Sequence, residues 1–179
     1  GKLENHTLSD TSVEINLVSK GTVFTYPYFA SLTEMCVQSG VSADEEVRLL
    51  LNTLYVLCKR NDEAPLIKAV FEFKIMELCG IVPDFEYECP CGVEGTFFSV
   101  SEGEVRCGEH KTTDSIQIGK AQIQLAKYIT ESSLKDALFC KCDKKVSSSL
   151  SSITEPFLMY HLGNLPSSLQ YLHSIVKNL

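Results

Sequence analysis

Two pairs of soft metal ligands impose the strongest constraint on what this chain can fold into. Cys89 and Cys91 form the first pair, and Cys107 and His110 form the second, on either side of the segments TFFSV and EVR. These two segments are rich in aromatic and β-branched residues, which predicts a small hairpin. A hairpin with a ligand pair at each end is how a zinc lobe folds without a hydrophobic core of its own. The pattern therefore predicts a structural zinc lobe at residues 84–111.

Several alternatives to zinc remain open. The first pair is CxC in place of the usual CxxC, which makes a tighter chelate, so a relic lobe with free thiols and a disulfide both stay possible. A Cys/His nucleophile pair needs a third group to orient the base, and it would explain two of the four residues where ligation explains all four. The chain is therefore not predicted to be an enzyme. A second CxC, Cys140 with Cys142, could supply a further ligand, pair with itself or remain a partly exposed thiol pair.

Length and composition indicate one hydrophobic core with a small satellite lobe. The chain has 179 residues, of which 44% are hydrophobic. It contains no run of eighteen apolar residues and no charged-then-apolar leader, so neither a membrane span nor secretion is expected. Cys36, Cys58 and Cys79 fall on apolar faces of predicted helices. Buried thiols of this kind favour a reducing cytoplasm.

Charge is distributed unevenly along the chain. Residues 1–110 contain 8 Lys and Arg against 18 Asp and Glu, a net charge of −10, whereas residues 111–179 contain 8 against 5, a net charge of +3. Tight non-specific binding of nucleic acid needs several cations acting together, so this chain alone is a poor candidate for it. The basic segment would favour an acidic peptide, and a solvated helix face is the alternative. Its lysines include Lys120, Lys127, Lys135, Lys144 and Lys145.

From Pro27 onward, apolar residues recur at spacings of three and four, which predicts amphipathic helices. The predicted helices cover residues 27–40, 42–60, 64–80, 117–129, 146–163 and 166–175. A capping box, Ser42 with Glu45, starts the second helix, and Pro156 predicts a kink in the fifth. The expected core stripe of the second helix consists of Val47, Leu50, Leu51, Leu54 and Leu57.

The predicted fold class is mainly α. We expect a helical bundle-like domain over residues 27–179, with the small β-hairpin, zinc-finger-like lobe inserted in it. Residues 1–26 form a polar lead in which VEINLV (13–18) and TVFTY (22–26) alternate as strands do. Two strands are too few to make a sheet of their own.

The order of four segments resembles the C-terminal part of the bacterial recombination mediator RecO. They are FEFKIMELCGIVPD, a cysteine pair ending in Cys-Gly, FFSVSEGEVRCGEH and FLMYHLGNLPSSLQYL, within residues 27–179. That family has a zinc-type lobe of two CxxC pairs around a Phe-Ser hairpin, which implies the same role for the four ligands here. Two positions depart from the family pattern. The first ligand position falls on Glu88, one place before Cys89, and the last ligand is His110 instead of cysteine.

The resemblance implies a non-enzymatic mediator of recombination in DNA repair. Proteins of this family bind the single-strand-binding protein through its acidic tail, associate with RecR, anneal complementary strands and help to load RecA. The resemblance also implies a cytoplasmic, nucleoid-associated protein with no membrane partner. The family contacts DNA mainly through an N-terminal OB barrel, for which residues 1–26 are too short. Either the chain was cut within the barrel or this member lacks one. The alternative function is an unrelated zinc-stabilised DNA-binding or regulatory domain.

Overall fold

Helices build most of the structure. The computed structural model describes residues 20–37, 40 and 42–176, and the side chains of residues 25–37, 40 and 42–174 among them. The helices are α1 (Lys20–Cys36), α2 (Asp44–Lys59), α3 (Ala64–Leu78), α4 (Lys120–Glu131), α5 (Leu134–Leu138), α6 (Lys144–Ser149), α7 (Ser151–Leu162) and α8 (Ser167–Val176), with a 3₁₀ turn at Asn61–Glu63. Between α3 and α4 lie the strands β1 (Phe97–Ser99), β2 (Glu104–Arg106) and β3 (Ser115–Gln117). The prediction of a mainly α fold with a small inserted β lobe is confirmed.

Helix α3 is the centre of the helical domain. Residues 66–76 are all buried, because α1, α2, α4, α5, α6 and α7 all pack around this helix. A helix that is enclosed on every side needs no polar face. Gly80 ends the helical segment as predicted: its φ is 71°, and the N–H of Ile81 donates to the Met76 carbonyl at 3.0 Å, which is the pattern of a Schellman motif.

A buried carboxylate joins three helices at this centre. Glu72 of α3 accepts hydrogen bonds from the Tyr28 hydroxyl of α1 at 2.5 Å, from Lys68 Nζ at 2.6 Å and from the Thr154 hydroxyl of α7 at 2.7 Å. Lys68 also pairs with Glu155 at 2.8 Å. Burial acts to lower the pKa of Lys68, but the charges of the two glutamates outweigh it, so that pKa lies above its ordinary value. The network is therefore a set of charged groups that compensate one another.

The predicted strand over residues 22–26 was wrong, because this segment forms the first turns of α1. Thr25, Phe29 and Leu32 are buried at helical spacing, and the helix packs against α8, α2 and α3. Tertiary packing thus overrides the β-propensity of TVFTY. Pro27 lies inside the helix and not at its start. Residues 1–12 and VEINLV lie outside the described residues, and the division of the chain after residue 26 stays a prediction.

Helix α2 differs from its prediction in two ways. Its N-cap is Ala43, whose side chain offers no hydrogen bond, so the capping box of Ser42 and Glu45 does not form. The side of the helix that faces the core is also different from the side that carries the expected core stripe. Val47 and Leu51 are exposed, and the buried residues are Leu49, Thr53, Val56 and Leu57. Only Leu57 of the expected stripe is fully buried, because this helix carries apolar residues on two faces.

The C-terminal helices were predicted more closely. Gln117 belongs to β3, so α4 begins three residues later than expected, at Lys120. The serine run is helical as predicted, in the two pieces α6 and α7, but the break falls at Leu150 and not at Pro156, which lies inside α7. Gly163, with a φ of 79°, caps α7. None of the described helices combines the length and hydrophobicity that crossing a membrane requires.

Removing the carboxylate of Glu72 tests whether the buried network holds the helices together. We expect Glu72→Ala to lower the free energy of unfolding by about 3–5 kcal/mol, because it leaves a buried lysine charge with one partner fewer and two hydroxyls without an acceptor. Urea denaturation followed by circular dichroism measures this. The control is Glu77→Ala on the same helix, whose half-exposed side chain pairs with Lys74 and should contribute less than about 1 kcal/mol. Equal losses in the two variants would contradict the role of the network.

Candidate metal centre

A three-stranded sheet carries the lobe. Its strands are antiparallel in the order β2-β1-β3, so the predicted hairpin of β1 and β2 is confirmed and β3 is an additional strand. Phe98, in the central strand, lies opposite Val105 on one side and Ile116 on the other. Phe98 is fully buried and Val105 nearly so. The sheet therefore has a core face despite its three-residue strands.

A chain of aromatic rings attaches this face to the helical domain. The ring of Phe98 stacks on Phe85 with centroids 5.2 Å apart and meets the edge of Phe157 at 5.7 Å. Phe85 in turn packs against Phe73 of α3 at 5.6 Å. Gly103, in the turn between β1 and β2, lies so close that a Cβ there would be 3.1 Å from the Phe157 ring. The lobe and the helices thus share one hydrophobic core.

Two tight turns present the ligand pairs. The carbonyl of Cys89 accepts a hydrogen bond from the N–H of Gly92 at 2.7 Å, and the carbonyl of Cys107 accepts one from the N–H of His110 at 3.2 Å. Gly92 has a φ of 82°, a backbone conformation that favours glycine. Each turn brings its two side chains to the same side of the backbone. The CxC pair is thereby accommodated on a turn like that of the second pair.

Gly95 fixes the first turn against the sheet. Its N–H donates to the carbonyl of Tyr87 at 2.8 Å, and a Cβ at this position would lie 2.2 Å from Cγ1 of Val105. Only glycine allows this approach between the segment that carries the first pair and β2. The two turns are held side by side for this reason.

The four predicted ligands meet in one place. Their ligand atoms all lie within 4.8 Å of one another. The Sγ of Cys107 is 3.3 Å from Nδ1 of His110, and the Sγ of Cys89 is 3.8 Å from the same nitrogen. The Sγ atoms of Cys91 and Cys107 are 3.8 Å apart. Ligands around one tetrahedral ion, with bonds of about 2.0–2.3 Å, are separated by about 3.5–3.8 Å. The cluster could therefore hold one metal ion.

The second CxC does not contribute to this cluster. Cys140 and Cys142 stand between α5 and α6 in the helical domain and are partly buried free thiols. Burial raises the pKa of Cys140 to about 11, so it stays protonated at neutral pH. Among the described residues, Cys89, Cys91, Cys107 and His110 are the one group of histidine, cysteine and acidic side chains placed to share an ion.

Backbone amides and the histidine favour thiolates in the cluster. The N–H groups of Cys91 and Cys107 lower the pKa of Cys89 to about 6. Burial acts to raise the pKa of Cys107, but hydrogen bonds from His110 outweigh it and the pKa is lowered. The same contact with the Cys107 sulfur raises the pKa of His110. These groups therefore stabilise negative charge on the sulfurs of Cys89 and Cys107, the form in which cysteine binds metals. At Cys91 the N–H of Val93 acts to lower the pKa, but burial and the other two sulfurs outweigh it and the pKa is raised.

The geometry does not resemble a catalytic dyad. His110 faces two sulfurs through the same nitrogen, Nδ1. Within the described part of the chain, its other ring nitrogen makes no hydrogen bond to a protein group that would orient the ring, as a Cys/His nucleophile pair requires. All four side chains are instead equivalent members of one cluster.

The surface around the cluster is acidic. Glu88, Glu94 and Glu109 are exposed next to the two turns, and none of them has an ion pair among the described residues. Arg106 is already engaged by Glu102 and Glu104, at 2.7 and 3.0 Å. Exposed carboxylates repel phosphates, so this face of the lobe opposes contact with nucleic acid.

Comparisons with known proteins agree with this architecture. The family model described as "Recombination protein O C terminal" matches residues 26–170. The DNA repair protein RecO of Alkaliphilus metalliredigens is 27% identical over 143 residues, which cover 77% of this chain and 58% of that protein. The DNA repair protein RecO of Clostridium kluyveri is 22% identical over 153 residues, which cover 84% of this chain and 60% of that protein. No solved structure matches the chain.

The region matched by the family model contains nearly all of the described fold. It begins in α1 and ends in α8, and it includes the whole metal-type lobe. The chain spans little more than half the length of the curated relatives it matches. This chain belongs to the RecO family, by its similarity to the family's C-terminal region.

Proposed function

We propose that this protein is a non-enzymatic recombination mediator in DNA repair. The observation that carries the proposal is the family match over residues 26–170, which spans the helical domain and the lobe together. Relatives of the chain are named DNA repair proteins. In this proposal it acts in the cytoplasm, at the nucleoid, through partners: the single-strand-binding protein, RecR and, indirectly, RecA. We propose that contacts with DNA are made mainly by parts of the family's members outside the matched region, as the resemblance implies.

The charges of the described residues favour a protein partner over DNA. The lobe presents exposed glutamates beside its turns, its single arginine is held by two of its own carboxylates, and its one exposed lysine, Lys111, is outnumbered by them. A zinc-stabilised DNA-binding domain, the alternative function, needs cations on the surface that meets the phosphates. The acidic surface of the lobe weighs against that alternative.

We propose zinc as the ion of the cluster. Three cysteines and one histidine form a ligand set that zinc accepts in closed structural sites, and the distances between ligand atoms suit tetrahedral coordination. With four protein ligands, no position is left open for a substrate, so the metal is structural. It ties the turn of Cys89 to the turn of Cys107, where the short strands provide few hydrogen bonds.

Metal removal tests this assignment. The purified protein should contain one zinc ion per chain, and Cys91→Ser should bind zinc at least tenfold more weakly, because it removes one of four ligands. Chelation should expose the lobe to proteolysis and to amide hydrogen exchange while α3 stays protected. Zinc content is measured by atomic emission. The matched control is Cys58→Ser, a partly buried thiol on α2, which should retain full zinc content. Equal zinc affinity in the two variants, measured by competition with a chelator, would refute the assignment.

A groove between α4 and α6 fits the acidic tail of the single-strand-binding protein. It has a volume of about 520 Å³. Its apolar wall consists of Ala121, Leu125, Tyr128 and Val146. Lys141 also lines it, with Asp143 as an opposing charge. An apolar slot with cations at its rim is a common way to bind an acidic peptide with apolar side chains.

The ion pairs decide which lysines of the basic segment, residues 111–179, are available. Lys127 is held by Glu86 at 2.6 Å, and Lys144 lies 3.6 Å from Asp62. Lys120, Lys141 and Lys145 are exposed and have no ion pair among the described residues. We propose that Lys141 and Lys145, on the segment that borders the groove, attract the carboxylates of the tail.

Titration with the single-strand-binding protein of the same organism tests the proposed partner. Binding should disappear when its acidic C-terminal tail is deleted and weaken as salt rises. The double variant Lys141→Glu/Lys145→Glu should bind a tail peptide at least tenfold more weakly, as measured by fluorescence anisotropy. The control is Lys135→Glu, an exposed lysine on α5 outside the groove, which should change the affinity less than threefold. No binding to either form would contradict the partner, and equal binding with and without the tail would contradict the tail as the contact. Equal weakening in all variants would contradict only the groove.

A further inference from the structure

Helix α2 has an exposed apolar face next to its core face. Val47, Leu51 and Tyr55 recur at every fourth position with 45%, 61% and 57% of their surface exposed. We call these three residues the outer stripe. Leu50 and Leu54 lie between the outer stripe and the core face, and they pack, partly buried, against the hydrophobic core. The core face itself consists of Leu49, Thr53, Val56 and Leu57.

The spacing of the outer stripe suits another helix. Its members recur at every fourth position over more than two turns, which places them along the side of α2 that a second helix could bury. A contiguous apolar strip on a surface is typical of an interaction site, in contrast to single exposed apolar residues. Neither the metal-type lobe nor the groove between α4 and α6 uses this face.

The charges at the ends of α2 identify the partner helix. Asp44, Glu45 and Glu46 form its first turn and Lys59 ends it, and none of these four has an ion pair within the described part of the chain. A second α2 in antiparallel orientation places the lysine of each copy next to the acids of the other. A parallel arrangement would put like charges together. Antiparallel pairing also aligns the helix dipoles favourably.

We infer that α2 pairs with α2 of a second copy of this chain, antiparallel and about a two-fold axis near Leu51. Such an interface is isologous, because the same patch meets itself. With the axis there, Val47 of one copy lies opposite Tyr55 of the other, and the two Leu51 side chains meet at the axis. The stripe covers between two and three helical turns, so the dimer is a weak, concentration-dependent one.

Sedimentation velocity of the whole chain from 1 to about 200 µM tests the inference. The sedimentation coefficient should rise with concentration to that of a dimer, and Leu51→Glu should raise the dimer dissociation constant at least tenfold, because it places two like charges at the axis. The matched control is Met159→Glu, on α7, where the methionine is 55% exposed; it should leave the constant within twofold. A monomer at every concentration, or equal weakening in both variants, would overturn the inference.

Charge exchange tests the antiparallel orientation. Asp44→Lys and Lys59→Glu should each raise the dissociation constant about threefold or more, since each creates two like-charge contacts per dimer. The variant that combines both substitutions restores opposite charges at each end and should return the constant to within twofold of that of the unsubstituted chain. Circular dichroism checks that α2 stays helical. Additive weakening in the combined variant would exclude the antiparallel pair.

Discussion

The carboxylate of Glu72 is the interaction on which the helical domain depends. It is fully buried in α3 and takes its partners from three helices, through Tyr28, Lys68 and Thr154. A charge in that position is tolerated only when donors surround it, so α1 and α7 cannot move away from α3 without exposing an unpaired charge to the core. Hydrophobic burial supplies most of the stability, whereas this network specifies which helices are neighbours.

The same helix also anchors the lobe. Phe73 follows Glu72 directly and contacts Phe85, which stacks on Phe98 of the central strand. One side of the small sheet thus belongs to the common core, while the ligand turns occupy the far side. This division explains why such short strands suffice: aromatic packing holds one side, and the other needs only a link between two turns. A structural ion at the cysteine cluster would provide that link.

Residue types and their order were enough to predict the candidate site. Cysteine and histidine in two close pairs have few other uses in a helical chain, and the four predicted ligands do converge. Gly80 and Gly163 marked helix ends, because a positive φ strongly favours glycine. The importance of Gly95 was not predicted, since its close approach to Val105 depends on the pairing of distant segments. The one local sign of its role is that a glycine follows soon after the first ligand pair.

When a helix is apolar on two sides, its sequence alone does not show which side is buried. In α2, apolar residues recur at helical spacing both in the outer stripe and on the core face. The spacing therefore does not indicate which of the two sets is buried. Glu72 was also missed, because either glutamate of FEFKIMEL resembles a solvated position until the three donors around Glu72 are known. TVFTY has β-branched residues and yet is helical, because Thr25 and the residues after it fill the contact of α1 with α3 and α8.

The surface that results is divided by charge and polarity. The lobe is acidic around its turns. The groove between α4 and α6 is lined by Lys141, which has no ion pair among the described residues, and the outer stripe of α2 is apolar between an acidic end and a basic end. Like charges on the lobe repel phosphates. Because each surface lies on a different element around α3, one rigid centre can present them together. In the mediator role proposed above, this separation would allow one small scaffold to hold several proteins at once.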